Sequence, residues 1–149
     1  MSRTQPINIQ RKVKATGVPA PAALRKWALA ALEDTDGDLT IRIVDETESS
    51  ALNARFRNQP KPTNVLSFGY EAETLNEPVL GDLVICAPIV AREATTQGKD
   101  PRGHWAHMVV HGVLHLRGHD HECEEDATVM EAREREILAS LGFDDPYSD

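Results

Sequence analysis

The chain is short of several things at once, and each shortage removes a class of protein. It has 2 cysteines in 149 residues, too few for the disulfide framework of a small secreted domain. Cys86 falls in an apolar, strand-like run and is expected in the core, while Cys123 lies among acids and reads as a free thiol. This usage fits a reducing, cytoplasmic compartment. No apolar run reaches the 18 or so residues that a membrane span needs, so no membrane partner is expected. The opening MSRTQPINIQRKVK carries no hydrophobic signal-peptide segment. Aromatic residues are 5% of the chain against 40% hydrophobic overall, so aliphatic side chains must fill the core. A basic surplus is also missing: the formal net charge is −8, which is not the balance of a general nucleic-acid binder, and no DNA partner is expected. The charge is unevenly spread. Residues 1 to 32 hold no acid, whereas residues 120 to 149 hold eleven.

What the chain does have is histidine in one place. All 6 histidines lie between His104 and His121, and HGVLHLRGHDH spans residues 111 to 121. The preceding MVVHGVLHL is mostly apolar and reads as a buried helix. Residues four apart share a helix face and rise about 6 Å along the axis, so His111 and His115 can offer two ring nitrogens to one ion. His107 continues the stripe but lies about 12 Å from His115 along the axis. Zinc needs each nitrogen within about 2.1 Å, so the whole stripe cannot serve one ion. Gly118 reads as the helix terminator, since glycine takes the left-handed position past a helix end without steric cost. A chain reversing there brings a third ligand back over the ion. His119 and His121 compete for that place, and local physics does not separate them.

The spacing H-x3-H-x2-G-x2-H resembles the metzincin pattern H-E-x-x-H-x-x-G-x-x-H, which favours His121. It departs from that pattern at Gly112, where the zinc proteases carry their glutamate base. Three histidines without an obvious fourth ligand leave an open position, which points to catalysis rather than to a structural metal.

Length fits one domain, residues 1 to 149, with about 143–149 as a loose tail. In order, the chain reads as a strand at PINIQ, a helix over 21 to 34, a strand over 39 to 45 and a helix capped by Asp45 or Thr47. Strands at 64 to 71 and 81 to 87 come next, then a helix opened by Pro88 and closed near Gly98. KDPRG is read as a loop before the histidine helix, and an amphipathic helix covers 124 to 142. The fold class expected is α/β (α+β): a small mixed four-stranded sheet packed with about five helices.

Three segments in this order, LNARFRNQPKPTNVLSFGYE, LGDLVICAPIVAREA and HMVVHGVLHLRGHDH, resemble the YbeY family, and the likeness runs from about residue 39 to 141. One departure is Asn64, where the family commonly has aspartate. The resemblance implies a bacterial, metal-dependent endoribonuclease acting on single-stranded RNA. Its work would be maturation of small-subunit ribosomal RNA and ribosome quality control. The resemblance further implies zinc held by His111, His115 and His121, a zincin-like arrangement of the metal helix, and an important arginine in L-N-x-x-[YF]-R, here Arg57.

Elementary chemistry agrees in outline. A metal on three neutral histidines keeps an open position and a charge near +2, so it can polarise a phosphoryl oxygen or acidify bound water. Arg57 can hold a phosphate through two parallel hydrogen bonds. Lys61, Lys99 and Arg102 fall in loops and are candidates to line an RNA groove. Asp82, Asp120 and His119 are candidates for orienting a ligand histidine or moving a proton, and the RNA 2′-hydroxyl is another nucleophile. Two further readings stand beside the nuclease: a zinc peptidase, and a ribosome-assembly binding module whose metal is structural.

Overall fold

Apolar side chains alternate along DLTIRIV, so one face of that strand must be buried. In the computed structural model, which describes residues 7–13, 17–35, 37–69, 79–119 and 123–147, this segment is β2 (Asp38–Val44) and lies inside a four-stranded sheet. The other strands are β1 (Ile7–Arg11), β3 (Val65–Gly69) and β4 (Val79–Cys86). Their order is β1-β2-β4-β3, with β1 and β4 parallel to β2 and β3 antiparallel to β4. The sheet is therefore mixed, and β3 forms one edge.

Five helices complete a single α+β domain: α1 (Pro21–Leu32), α2 (Glu46–Arg57), α3 (Ala87–Gln97), α4 (Pro101–Leu116) and α5 (Glu124–Ser140). The larger core joins Leu39, Ile41, Ile43, Leu83 and Ile85 of the sheet to α1, α4 and α5. A smaller cluster on the opposite face holds Val44, Leu66, Val84 and Cys86, against which Leu52, Phe68 and Ile89 pack. Cys86 is buried, as its apolar run implied, and burial pushes its thiol pKa up. Cys123 is exposed and free. No helix among the described residues is long and apolar enough to cross a membrane.

Several boundaries differ from the sequence reading: α1 ends at Leu32 rather than 34 and α5 at Ser140 rather than 142. β4 starts at Val79 rather than Gly81. The histidine helix includes the PRG read as loop: the Asp100 side chain accepts from Gly103 N at 3.3 Å, and Pro101 fills the first helical position, where its missing N–H costs nothing. Between the two cap candidates for α2, Asp45 is the one used, accepting from Glu48 N at 2.9 Å. The segment read as a loose tail has fixed contacts through residue 147. Phe143 meets Trp27 edge to face at 5.7 Å, and the Tyr147 hydroxyl donates to Glu134 at 2.9 Å. Both aromatic rings find partners that a view of the chain end alone does not reveal.

Candidate functional site

The end of α4 is built as the glycine suggested. Gly118 has φ +99°; its N–H donates to His115 O at 3.0 Å, and His119 N donates to Leu114 O at 3.0 Å. These two bonds form a Schellman motif, which satisfies the last carbonyls of the helix and turns the chain. The turn leaves the His111 and His115 rings stacked edge to face, with centroids 4.7 Å apart. Both line a pocket of about 620 Å³, together with Arg57, Ser67 and Asn64. Asp120 and His121 lie outside the described residues, so their places in this pocket rest on the sequence reading.

Behind His111 is a buried polar network. Glu134 of α5 is fully buried, and it accepts from His107 Nε2, from His111 Nδ1 at 3.4 Å and from the Tyr147 hydroxyl. Burial alone raises the Glu134 pKa. Hydrogen bonds and attraction from His107 and His111 more than offset this and bring it to about 2. Burial and the neighbouring Glu134 charge push the Tyr147 phenol upward, so it stays a donor. The bond from His111 Nδ1 to Glu134 is the arrangement by which a carboxylate fixes tautomer and orientation of a histidine that ligates through Nε2.

A second network links α3, α4 and the start of β3. His104 Nε2 pairs with Glu93 at 2.9 Å, and Asn64 Nδ2 donates to the same carboxylate at 3.2 Å while its Oδ1 accepts from Val65 N. Desolvation lowers the His104 pKa. The Nδ1 atoms of His104 and His107 are buried without a hydrogen-bond partner among the described residues, while the Nε2 atom of each ring meets a carboxylate. The side-chain amide of Asn64 is matched to this network. An amide can donate to Glu93, whereas an aspartate would set two carboxylates against each other.

Arg57 reaches the pocket from the far side of the edge strand. Its Nη2 donates to Ser67 O at 2.8 Å, and its guanidinium carbon sits 5.0 Å from the centre of the Phe68 ring. Ser67 in turn donates from its hydroxyl to Gly112 O at 3.3 Å, tying β3 to α4. Gly112 lies against the sheet: a Cβ there would stand 2.6 Å from Leu83 Cδ2, in the core. A glutamate at the metzincin position would thus point into apolar packing.

The remaining candidates are scattered. Asp82 alternates onto the face shared by Val84 and Cys86, away from the Leu83 face that meets α4. Lys61 is exposed on the loop after α2, near but outside the pocket lining. Lys99 lines a separate pocket of about 380 Å³. Arg102 sits over the Trp27 ring at 5.1 Å, near the opposite end of α4 and about 20 Å of helix from His115. His119 forms the last bond of the α4 cap.

The donors fit a divalent metal in two ways that share His111. One is the pair His111 and His115, facing the pocket. The other is His107, His111 and Glu134, whose ligating atoms lie within 4.8 Å of one another. In the second set His107 and Glu134 are buried and His111 is half-buried, and the three are already joined by hydrogen bonds, so its chemistry suits support of the first. Sequence reasoning missed Glu134 and Tyr147. The available signal was the position of Glu134 four residues after Met130 and three before Ile137, a carboxylate on the apolar stripe of α5.

Comparison with known proteins places these features in a family context. A family model described as "Endoribonuclease YbeY" matches residues 8–142. A Methylococcus capsulatus protein named Endoribonuclease YbeY is 53% identical over 138 residues, 92% of this chain and 92% of the relative. A Pseudomonas putida protein of the same name is 50% identical over 147 residues, 96% of this chain and 93% of the relative. The solution structure of a Thermotoga maritima protein, 25% identical, superposes with a TM-score of 0.60 over 96% of this chain and 99% of that one.

Proposed function

Because the chain belongs to the YbeY family, we propose that it is a metal-dependent endoribonuclease that cuts single-stranded RNA. The observation that carries this reading is the shared pocket of Arg57, His111 and His115. One face supplies imidazoles for a cation and the other a guanidinium for a phosphate. We take the ion to be zinc, held by His111, His115 and His121, because neutral imidazoles suit it. When bound, such an ion supplies Lewis acidity and a more acidic bound water.

The chain's own residues do the rest. Glu134 holds His111 by its Nδ1 and orients the ring for ligation through Nε2. Phe56 O and Ser67 O each take one N–H of the Arg57 guanidinium and fix its plane, and its remaining N–H groups can bind a phosphate oxygen. Lys61, at the mouth of the loop beside the pocket, adds charge for an incoming strand. His119 and Asp120 adjoin the third ligand and are the candidates for orienting it or moving a proton. Family membership supports ribosomal RNA of the small subunit as the substrate, with maturation and quality control in the cytoplasm as the setting. A helix whose histidine pair is followed by a glycine turn supports a zincin-like metal arrangement.

The test is incubation of metal-replete protein with single-stranded RNA, single-stranded DNA and an unstructured peptide, before and after chelation. RNA alone should be cut, and chelation should abolish cutting while circular dichroism stays unchanged. Cleavage of the peptide would favour the peptidase reading, which the packing of Gly112 against Leu83 opposes. Unfolding on chelation would favour a structural metal in a binding module.

A further inference from the structure

Aromatic side chains are scarce in this protein, yet Phe56 is 49% exposed. About half of its surface stays in water beside the candidate site, where a partner could cover it. Phe56 occupies the last turn of α2 and meets Phe68 of β3 edge to face, with centroids 5.2 Å apart and planes at 64°. Phe68 is anchored against the smaller core cluster, so the pair is a fixed surface rather than a loose side chain. An arginine flanks each ring: Arg55 Cζ lies 5.1 Å from the Phe56 centroid and Arg57 Cζ 5.0 Å from the Phe68 centroid. Arg57 also lines the pocket of His111 and His115. The aromatic pair and the pocket therefore meet at one guanidinium.

We propose that Phe56, supported by Phe68, is a stacking subsite for an unpaired nucleobase of the RNA strand, next to the nucleotide whose phosphate Arg57 holds. The proposal rests on the nuclease reading only for the identity of the ligand. Charge complementarity selects that ligand. Two arginines flanking the exposed Phe56 and the partly buried Phe68, in a chain of net charge −8, form a local cationic aromatic surface, the chemistry that binds single strands by base stacking and backbone attraction. Duplex bases are already stacked and cannot occupy it, so the subsite itself selects unpaired RNA. The surface lies beyond the edge strand from α4, so a strand running from the pocket past Arg57 crosses it.

The experiment uses the metal-loaded full chain and three variants, Phe56→Ala, Phe56→Tyr and Phe56→Trp, with short single-stranded RNAs that carry one abasic nucleotide at successive positions. Phe56→Ala should melt within a few degrees of the wild type, because the side chain is half exposed. It should raise KM about tenfold with kcat within about twofold, the loss expected for one base stack. The tyrosine and tryptophan variants should restore KM. In the wild type, an abasic nucleotide at one register should raise KM by the same factor, and Phe56→Ala should be insensitive to that change. A 2-aminopurine placed at that register should lose fluorescence on binding the wild type and keep it with Phe56→Ala. An unchanged KM in Phe56→Ala, or an equal loss on every abasic substrate, overturns the subsite and leaves the patch to a protein partner. If the wild type cuts no RNA but still quenches 2-aminopurine at one register through Phe56, the nuclease reading falls and the subsite stands. No binding by the wild type overturns both.

Discussion

Arg57 Nη2 donates to the main-chain oxygen of Ser67 at 2.8 Å, and this bond carries the guanidinium from the end of α2 across the edge strand into the pocket of His111 and His115. Ser67 then joins Gly112 of α4, so the Arg57 guanidinium is tied to the histidine helix through two hydrogen bonds.

Arg57→Ala should therefore keep the fold and the ion but lower kcat/KM on single-stranded RNA by at least about a hundredfold, about 3 kcal/mol of transition-state stabilisation. Arg57→Lys should recover little, since an ammonium cannot hold both the carbonyl and a phosphate in one plane. The readouts are steady-state kinetics and metal content. Wild-type kinetics in either variant would return Arg57 to an ordinary surface role.

His111→Ala and His115→Ala should each weaken metal retention by more than the 10–100-fold typical of losing an outer partner of a ligand. His121→Ala should do the same and His119→Ala should not. Competition with a coloured chelator measures the four affinities. Loss of the ion in His119→Ala with retention in His121→Ala would reassign the third ligand.

Glu134 has a pKa lowered from 4.5 to about 2. A depressed carboxyl stabilises the fold fully above its unfolded value, and the contribution fades as pH falls from about 4.5 through about 2. In the metal-free protein this amounts to roughly 3 kcal/mol for such a shift. Urea unfolding from pH 5 to 2 should show a slope that Glu134→Gln flattens. The same variant should reduce metal affinity about tenfold, because it weakens the hold on His111 Nδ1. An unaltered pH slope together with unaltered affinity would remove Glu134 from the site.

The net charge repels RNA at long range, and salt screens that repulsion beyond about 8 Å under physiological conditions. Binding must then come from a local cleft with few phosphate contacts, so its salt dependence should be shallow and it should favour single strands over duplex. Salt titrations of Arg57→Ala and wild type on both forms of RNA, read by fluorescence anisotropy, check this. A steep slope, or equal affinity for duplex, contradicts it.

Local rules carried much of the fold. Alternation in DLTIRIV, Pro88 in the first turn of α3 and Gly118 past the end of α4 each depend on a few adjacent residues, and each stands in the structure as read, while Asp45 is the one of two cap candidates that α2 uses. The pairing of His111 with His115 is of the same kind, because a helix sets the spacing of residues four apart whatever surrounds it. Other relations join distant segments and have no local signature. Glu134 stands behind His111 only because α5 docks on α4, 23 residues further along the chain. Arg57 enters the pocket only because β3 is an edge strand that α2 can reach around. Asp82 was readable as a strand residue, but which face of β4 would meet α4 was settled by packing Leu83 and Ile85 into the larger core. Spacing along the chain determines a local face, whereas which faces meet depends on the joint burial of apolar surface from every element at once.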